Sequence, residues 1–113
     1  MPNNKDQIEK ARSLITNVVN TYCIKYNYEY NRIAIKNQRS RLGSCSSRKN
    51  LNFNWQIIKF PQEVMEYAVL HELAHLVHQN HSKEYWKEVE KLDPDYKIHH
   101  KWIKSHGHKL IKF

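Results

Sequence analysis

The spacing of apolar residues near the start of the chain predicts an amphipathic helix. From Asp6 to about Tyr26, apolar side chains recur every three or four residues, which places them on one helical face. This face consists of Ile8, Ala11, Ile15, Val18, Val19 and Tyr22. We expect it to pack against the core.

The pattern then changes to that of strands. Apolar residues cluster between Tyr28 and Gln38, and apolar and polar residues alternate from Leu51 to Ile58. The connecting residues 41–50 are rich in small and turn-forming side chains. We therefore expect two strands that pair as an antiparallel hairpin through a long loop.

Three further helices follow from the remaining pattern. Pro61 suits the first turn of a long helix that continues to about Gln79. Ser82 is a candidate cap for the next helix, and Asp93 is a candidate cap for the last one, which should end at Gly107.

Together these elements predict one α+β domain over residues 1–113, with an N-terminal helix, a short antiparallel sheet, a long central helix and two C-terminal helices. The composition is globular, with 40% hydrophobic and 27% charged residues. Two cysteines are too few for a disulfide framework, and neither a signal segment nor a membrane span is recognisable. We therefore expect a cytoplasmic protein with no membrane contact.

The long helix carries the candidate chemistry, in the sequence His-Glu-Leu-Ala-His at residues 71–75. Because residues four apart share a helical face, His71 and His75 can direct their imidazoles at one ion. Glu72 is rotated by one residue, within reach of a water on that ion, as a general base must be. His81 is expected to supply the third ligand after the chain turns back.

The apolar surroundings of these polar residues favour a metal over chance. The helix is apolar nearly all round and hence buried, and unpartnered imidazoles and carboxylates inside it would cost several kcal/mol. The alternative is that these groups are satisfied by other core polar groups. Three protein ligands leave one zinc position for water, which is the arrangement of catalytic rather than structural sites.

Other polar residues have weaker assignments. His78 is expected at the rim of the site, and the C-terminal histidines are expected on a solvated surface, although they could fold back on the site. These are His99, His100, His106 and His108. Candidate donors to an oxyanion, chosen only by proximity in sequence, are Tyr85, Tyr96 and His99.

Several ordered motifs resemble those of the YgjP-like zinc metallopeptidases, which are related to the SprT-like proteins. They are Ser-Arg-Leu-Gly-Ser-Cys-Ser at 40–46, the 71–75 motif, Asn-His-Ser at 80–82, Tyr-Trp at 85–86, Asp-Pro-Asp-Tyr-Lys at 93–97 and Lys-Trp at 101–102. The resemblance implies a minimal zincin fold, with His71, His75 and His81 as ligands and Glu72 as the catalytic acid and base. Family members usually carry Trp where this chain has Leu42.

In related zincins an edge strand above the metal pairs with extended substrate, and residues 41–46 lie where such a rim can form. The expected rim residues are Arg41, Gly43, Ser44 and Cys45. Cys45 has two interpretations: a small thiol that packs in the turn, or a fourth zinc ligand that keeps the enzyme latent.

The prediction is a metalloendopeptidase with one zinc ion per chain, in which Glu72 and a zinc-bound water hydrolyse bonds in peptides or unfolded proteins. The formal charge of +8 suggests a second hypothesis. In this alternative, a zinc-stabilised basic module binds nucleic acid or nucleoprotein, and proteolysis is restricted or absent.

Overall fold

A computed structural model describes residues 4–37 and 41–110, with side chains described for residues 5–37 and 41–107. Gln38, Ser40 and the side chain of His108, which the sequence-based predictions include, lie outside these ranges.

The first helix, α1 (Asn4–Tyr26), packs one face against the core as predicted. Its buried residues are Ala11, Ile15, Val19 and Cys23. Their regular spacing of four residues aligns them along one side of the helix. The helix ends where Asn27 adopts a left-handed conformation, with φ of 59°.

A three-stranded sheet follows, formed by β1 (Arg32–Lys36), β2 (Gly43–Cys45) and β3 (Asn50–Asn54). The strand order is β1-β3-β2, with β3 parallel to β1 and antiparallel to β2. The predicted hairpin between the first and last strands is therefore wrong, and the sheet is mixed rather than antiparallel. The segment that was predicted to be a loop contains β2, and it is β2 that pairs antiparallel with β3.

Strand β3 is shorter than the predicted strand. The side chain of Asn54 accepts a hydrogen bond from the backbone N–H of Gln56 (3.0 Å) and caps a 3-10 turn over Trp55–Lys59. Trp55 and Ile57 are buried in this turn. They continue the alternation of the strand, which is why the sequence did not reveal the change.

The central helix α2 (Gln62–Leu73) starts directly after Pro61 and passes into a 3-10 turn over Ala74–Leu76. It is buried nearly all round and contacts α1, the last helix and β2. The predicted continuation to Gln79 is wrong. The side chain of Gln79 donates instead to the carbonyl of His75 (2.8 Å), which satisfies an acceptor at the helix end.

Two helices complete the fold, α3 (Lys83–Leu92) and α4 (Tyr96–Leu110). The predicted cap at Ser82 is confirmed, since its hydroxyl accepts from the N–H of Tyr85. Helix α4 runs through Gly107 rather than ending there, because that glycine is buried within the helix. The predicted α+β class is confirmed. Within the described residues, no helix has both the length and the apolar character to cross a membrane.

The cap of α3 gives a test of the fold. Replacing Ser82 with Ala removes the acceptor 3.3 Å from the N–H of Tyr85, so the free energy of unfolding should fall by about 1 kcal/mol. Urea denaturation measures the change. The control is Ser47→Ala at an exposed turn, which should have almost no effect. Equal losses in both variants would contradict a capping role.

Candidate metal centre

His71 and His75 lie on the same side of α2 and its terminal turn, as their spacing predicts. Their ring centroids are 5.7 Å apart. Candidate ligand atoms of His71, Glu72 and His75 all lie within 4.8 Å of one another. In the described part of the chain, this is the one group of histidine, cysteine and acidic side chains close enough to hold an ion.

Hydrogen bonds prepare both imidazoles to bind a metal. Nδ1 of His75 lies 3.0 Å from the carbonyl oxygen of His78, which can only accept, so that nitrogen carries the proton. Nδ1 of His71 lies 3.3 Å from Oε2 of Glu72, also an acceptor when ionised. In each neutral ring Nε2 then keeps its lone pair for a metal ion.

Tyr85 holds the same two histidines from α3. Its side chain is fully buried, and its hydroxyl donates to the backbone carbonyl of His71 (2.7 Å). Its ring stacks on His75, with centroids 4.4 Å apart and an interplanar angle of 27°. Both contacts fix the helix end from which the two imidazoles project.

The ring of His81 lies beside this cluster after the turn, although its ligand atoms are not part of the close group of three and its side chain is exposed. Its ring centroid lies 5.6 Å from that of His71 and 4.9 Å from that of His75. Partial burial, followed by the neighbouring His75 and His71, lowers the pKa of His81. A neutral imidazole is the form that binds metal, so the three rings suit a divalent cation.

Glu72 is buried between the histidines and the sheet, with 7% of its surface exposed. Strand β2 approaches it closely at Gly43. A Cβ atom on Gly43 would lie 2.8 Å from the carbonyl oxygen of Asn52 and 3.1 Å from Cγ of Glu72. Any side chain at this position would therefore displace the strand or the carboxylate.

A cleft of about 240 Å³ opens beside Glu72. Residues 41–43 line one side, and Tyr67, His71 and Glu72 of α2 line another. The predicted rim residues Arg41 and Gly43 therefore border the candidate centre. Ser44 lies half-buried in β2, at the edge of the sheet.

Cys45 does not join the metal cluster. Burial, and then the charge of Glu72, raise the pKa of its thiol to about 11. Its Sγ atom lies 3.6 Å from the backbone carbonyl oxygen of Ser46, a contact in which the thiol donates. The structure favours the interpretation of Cys45 as a packed thiol over that of a fourth ligand.

The cleft contains Tyr67, which was not singled out from the sequence, and His100, for which two interpretations were left open. The Tyr67 hydroxyl lies 2.9 Å from Nδ1 of His100. Burial raises the pKa of Tyr67, so its hydroxyl keeps its proton. The hydroxyl can therefore donate a hydrogen bond to Nδ1 of His100, and the ring proton of a neutral His100 then lies on Nε2. His100 was expected on a solvated surface, with folding back on the site as the alternative, and its contact with Tyr67 supports the alternative.

Two of the three candidate oxyanion donors, Tyr85 and His99, have hydrogen-bond partners elsewhere, whereas Tyr96 has a ring contact. The Tyr85 hydroxyl is engaged by the His71 carbonyl, and Nδ1 of His99 lies 2.6 Å from Oδ2 of Asp93. Tyr96 stacks on Trp86, with centroids 5.7 Å apart.

A buried helix that presents a His-Glu-x-x-His motif to a cleft in a small α+β domain defines the class of metal-dependent peptidases. The chain matches the family model of the YgjP-like metallopeptidase domain over residues 4–106 and belongs to that family. It is therefore a hydrolase. The family resemblance stated from the sequence motifs is confirmed.

Two solved structures share the fold. The metallopeptidase zymogen of Methanocaldococcus jannaschii jannalysin is 26% identical, with a TM-score of 0.70 over 80% of this chain and 94% of that one. The metallopeptidase zymogen of Pyrococcus abyssi abylysin is 23% identical, with a TM-score of 0.61 over 89% of this chain and 91% of that one. No curated protein matches the chain.

The support from Tyr85 predicts a difference between two Tyr→Phe variants. Tyr85→Phe leaves the His71 carbonyl without the buried donor that it has in the wild type. We expect the free energy of unfolding to fall by about 1–3 kcal/mol, measured by urea denaturation of the metal-free protein. Tyr30→Phe is the matched control, since its hydroxyl bonds Asn20 at an exposed position. A loss from Tyr85→Phe no larger than that of the control would contradict the assignment.

Proposed function

We propose that the chain is a zinc-dependent endopeptidase with one zinc ion per chain. The observation that carries the proposal is the cluster of His71, Glu72 and His75, joined by the ring of His81, in the cleft of a metallopeptidase domain. Zinc takes imidazole nitrogen and carboxylate oxygen readily, so this donor set fits it. When bound, zinc acidifies a water molecule and polarises a peptide carbonyl.

The three histidines hold the ion in this proposal. His71 and His75 offer Nε2 because hydrogen bonds occupy their Nδ1 atoms. Partial burial and the two other imidazoles favour the neutral form of His81. A set of three protein ligands leaves room for substrate and water, as catalytic sites require.

Glu72 serves as general base and then as general acid. Its carboxylate takes a proton from the attacking water and passes it to the amine of the leaving peptide. The contact of Oε2 with His71 and the close backbone at Gly43 hold the carboxylate in one position. A fixed, buried base loses little orientational freedom when the substrate reacts.

The substrate in this proposal is an extended peptide or an unfolded protein. Strand β2 is an edge strand, so one side of its backbone is free of partners within the sheet. An extended peptide can pair with such an edge while its carbonyl reaches the cleft. Backbone pairing does not require a free terminus of the substrate, which supports cleavage at internal peptide bonds. In this proposal Arg41, Gly43, Ser44 and Cys45 form the rim that the substrate contacts.

The role of Glu72 predicts a loss of activity without loss of metal. We expect Glu72→Gln to bind zinc as the wild type does but to cleave a fluorogenic peptide library at least about 100-fold more slowly. Zinc content measured by mass spectrometry accompanies the assay. Glu63→Gln, at an exposed position of the same helix, should keep full activity. Equal cleavage by Glu72→Gln and wild type would remove Glu72 from the mechanism.

The role of His81 predicts a loss of zinc affinity. Because even partners outside the ligand shell change metal affinity by about 10–100-fold, removal of a ligand in His81→Ala should weaken zinc binding by more than about 100-fold. Competition with a chromophoric chelator measures the affinity. His78→Ala is the control, since His78 contributes its backbone carbonyl, which the substitution retains. Unchanged affinity in His81→Ala would exclude His81 as a ligand.

A further inference from the structure

A second cavity, of about 440 Å³, lies beside the cleft. We call it the basic groove. Three lysines of α4 line it together with aromatic rings from α3 and α4. The lining residues are Trp86, Tyr96, Lys97, His100, Lys101 and Lys104. The lysines recur at intervals of four and three residues, so they share one face of the helix with His100.

The lysines of the basic groove carry positive charge that the protein leaves uncompensated. All three are exposed, and among the described residues none forms an ion pair with a carboxylate. Helix α4 contains no acidic residue at all. Lys97 places Nζ 5.9 Å from the centroid of the Tyr96 ring. The groove therefore combines an aromatic lining with cations that are free to bind an anionic group.

The basic groove and the cleft of the metal centre share one lining residue. His100 lines both cavities. Trp86 lines the groove and also stacks on His81, with centroids 5.9 Å apart and an interplanar angle of 28°. The groove therefore adjoins the cleft at His100, within reach of a peptide that occupies the cleft.

The aromatic contacts favour a peptide over a nucleic acid as the occupant. Nucleic-acid sites of this type use aromatic faces on which bases stack. Trp86 is already stacked by two rings of the protein itself, His81 and Tyr96. Less of its face is left for a base, whereas carboxylates need only the lysine side chains at the rim.

We propose that the basic groove is a subsite for acidic side chains of the peptide substrate, on one side of the bond that is cleaved. This inference rests on the proposed endopeptidase function and adds the substrate class. Aspartate and glutamate residues near the cleavage site would bind Lys97, Lys101 and Lys104, while the substrate backbone passes His100.

The test uses the full-length, zinc-loaded protein and pairs of peptides. A library of decapeptides first identifies a cleaved sequence. Two versions are then compared, with three glutamates or three glutamines on the same side of the cleavage site. We expect the glutamate version to have a kcat/KM about fivefold to tenfold higher at low salt, and the preference should shrink in 0.5 M NaCl. Glutamates are placed on each side in turn.

Charge reversal connects the preference to the groove. Lys101→Glu/Lys104→Glu should lose the preference and favour a lysine version of the same peptide. Lys10→Glu/Lys36→Glu makes the same change in net charge at exposed positions outside the groove and should keep the preference for glutamate. The ratio of two substrates in one preparation is independent of the fraction of folded enzyme.

A binding measurement distinguishes two outcomes: that the subsite proposal is wrong, or that the proposed endopeptidase function is wrong. Fluorescence anisotropy with zinc-loaded Glu72→Gln measures the affinity for each labelled peptide without turnover. Preferential binding of the glutamate peptide through Lys101 and Lys104 supports the subsite even if no peptide is cleaved, in which case only the endopeptidase proposal fails. Equal affinities and equal cleavage of both peptides overturn the subsite. Binding of an oligothymidylate at these lysines, with no preference between the two peptide versions, overturns it as well.

Discussion

The candidate metal centre depends on the burial of a helix that is apolar nearly all round and still carries ionisable side chains. Helix α2 packs against α1, α4 and β2, so Glu72 and His75 are removed from water. Such groups cost several kcal/mol when they have no partner. The contacts of His71 with Glu72 and of His75 with the His78 carbonyl satisfy one atom on each ring. The remaining lone pairs are what a bound cation would satisfy.

Helix α3 supports this arrangement through a short stretch of chain. His81 is followed directly by Ser82, whose hydroxyl accepts from the N–H of Tyr85 and starts the helix. Tyr85 then bonds the His71 carbonyl and stacks on His75. The segment from His81 to Tyr85 therefore places a third imidazole, begins a helix and anchors the first two imidazoles. The geometry of the centre and the stability of α3 are consequently coupled.

The sequence predicted those features that depend on neighbours along the chain. Helical spacing predicted α1 and the shared face of His71 and His75, and the capping rule predicted Ser82. The predictions that were wrong concern features that depend on contacts between residues far apart in sequence. The parallel pairing of β1 with β3 brings together segments far apart in sequence, and Gly107 continues a helix because packing overrides its weak propensity. The Tyr67–His100 pair joins residues on two helices that no local pattern relates.

Helix α4 contributes residues both to the cleft and to the basic groove. It closes the cleft through His100, and it carries lysines on the same face. Pairing along an edge strand recognises backbone and so discriminates poorly between substrate sequences. Exposed charges each add little energy, but several act together on a flexible acidic segment and increase the rate of encounter. In the proposed subsite, part of the net charge of +8 would bear on substrate choice, next to the bond to be cleaved.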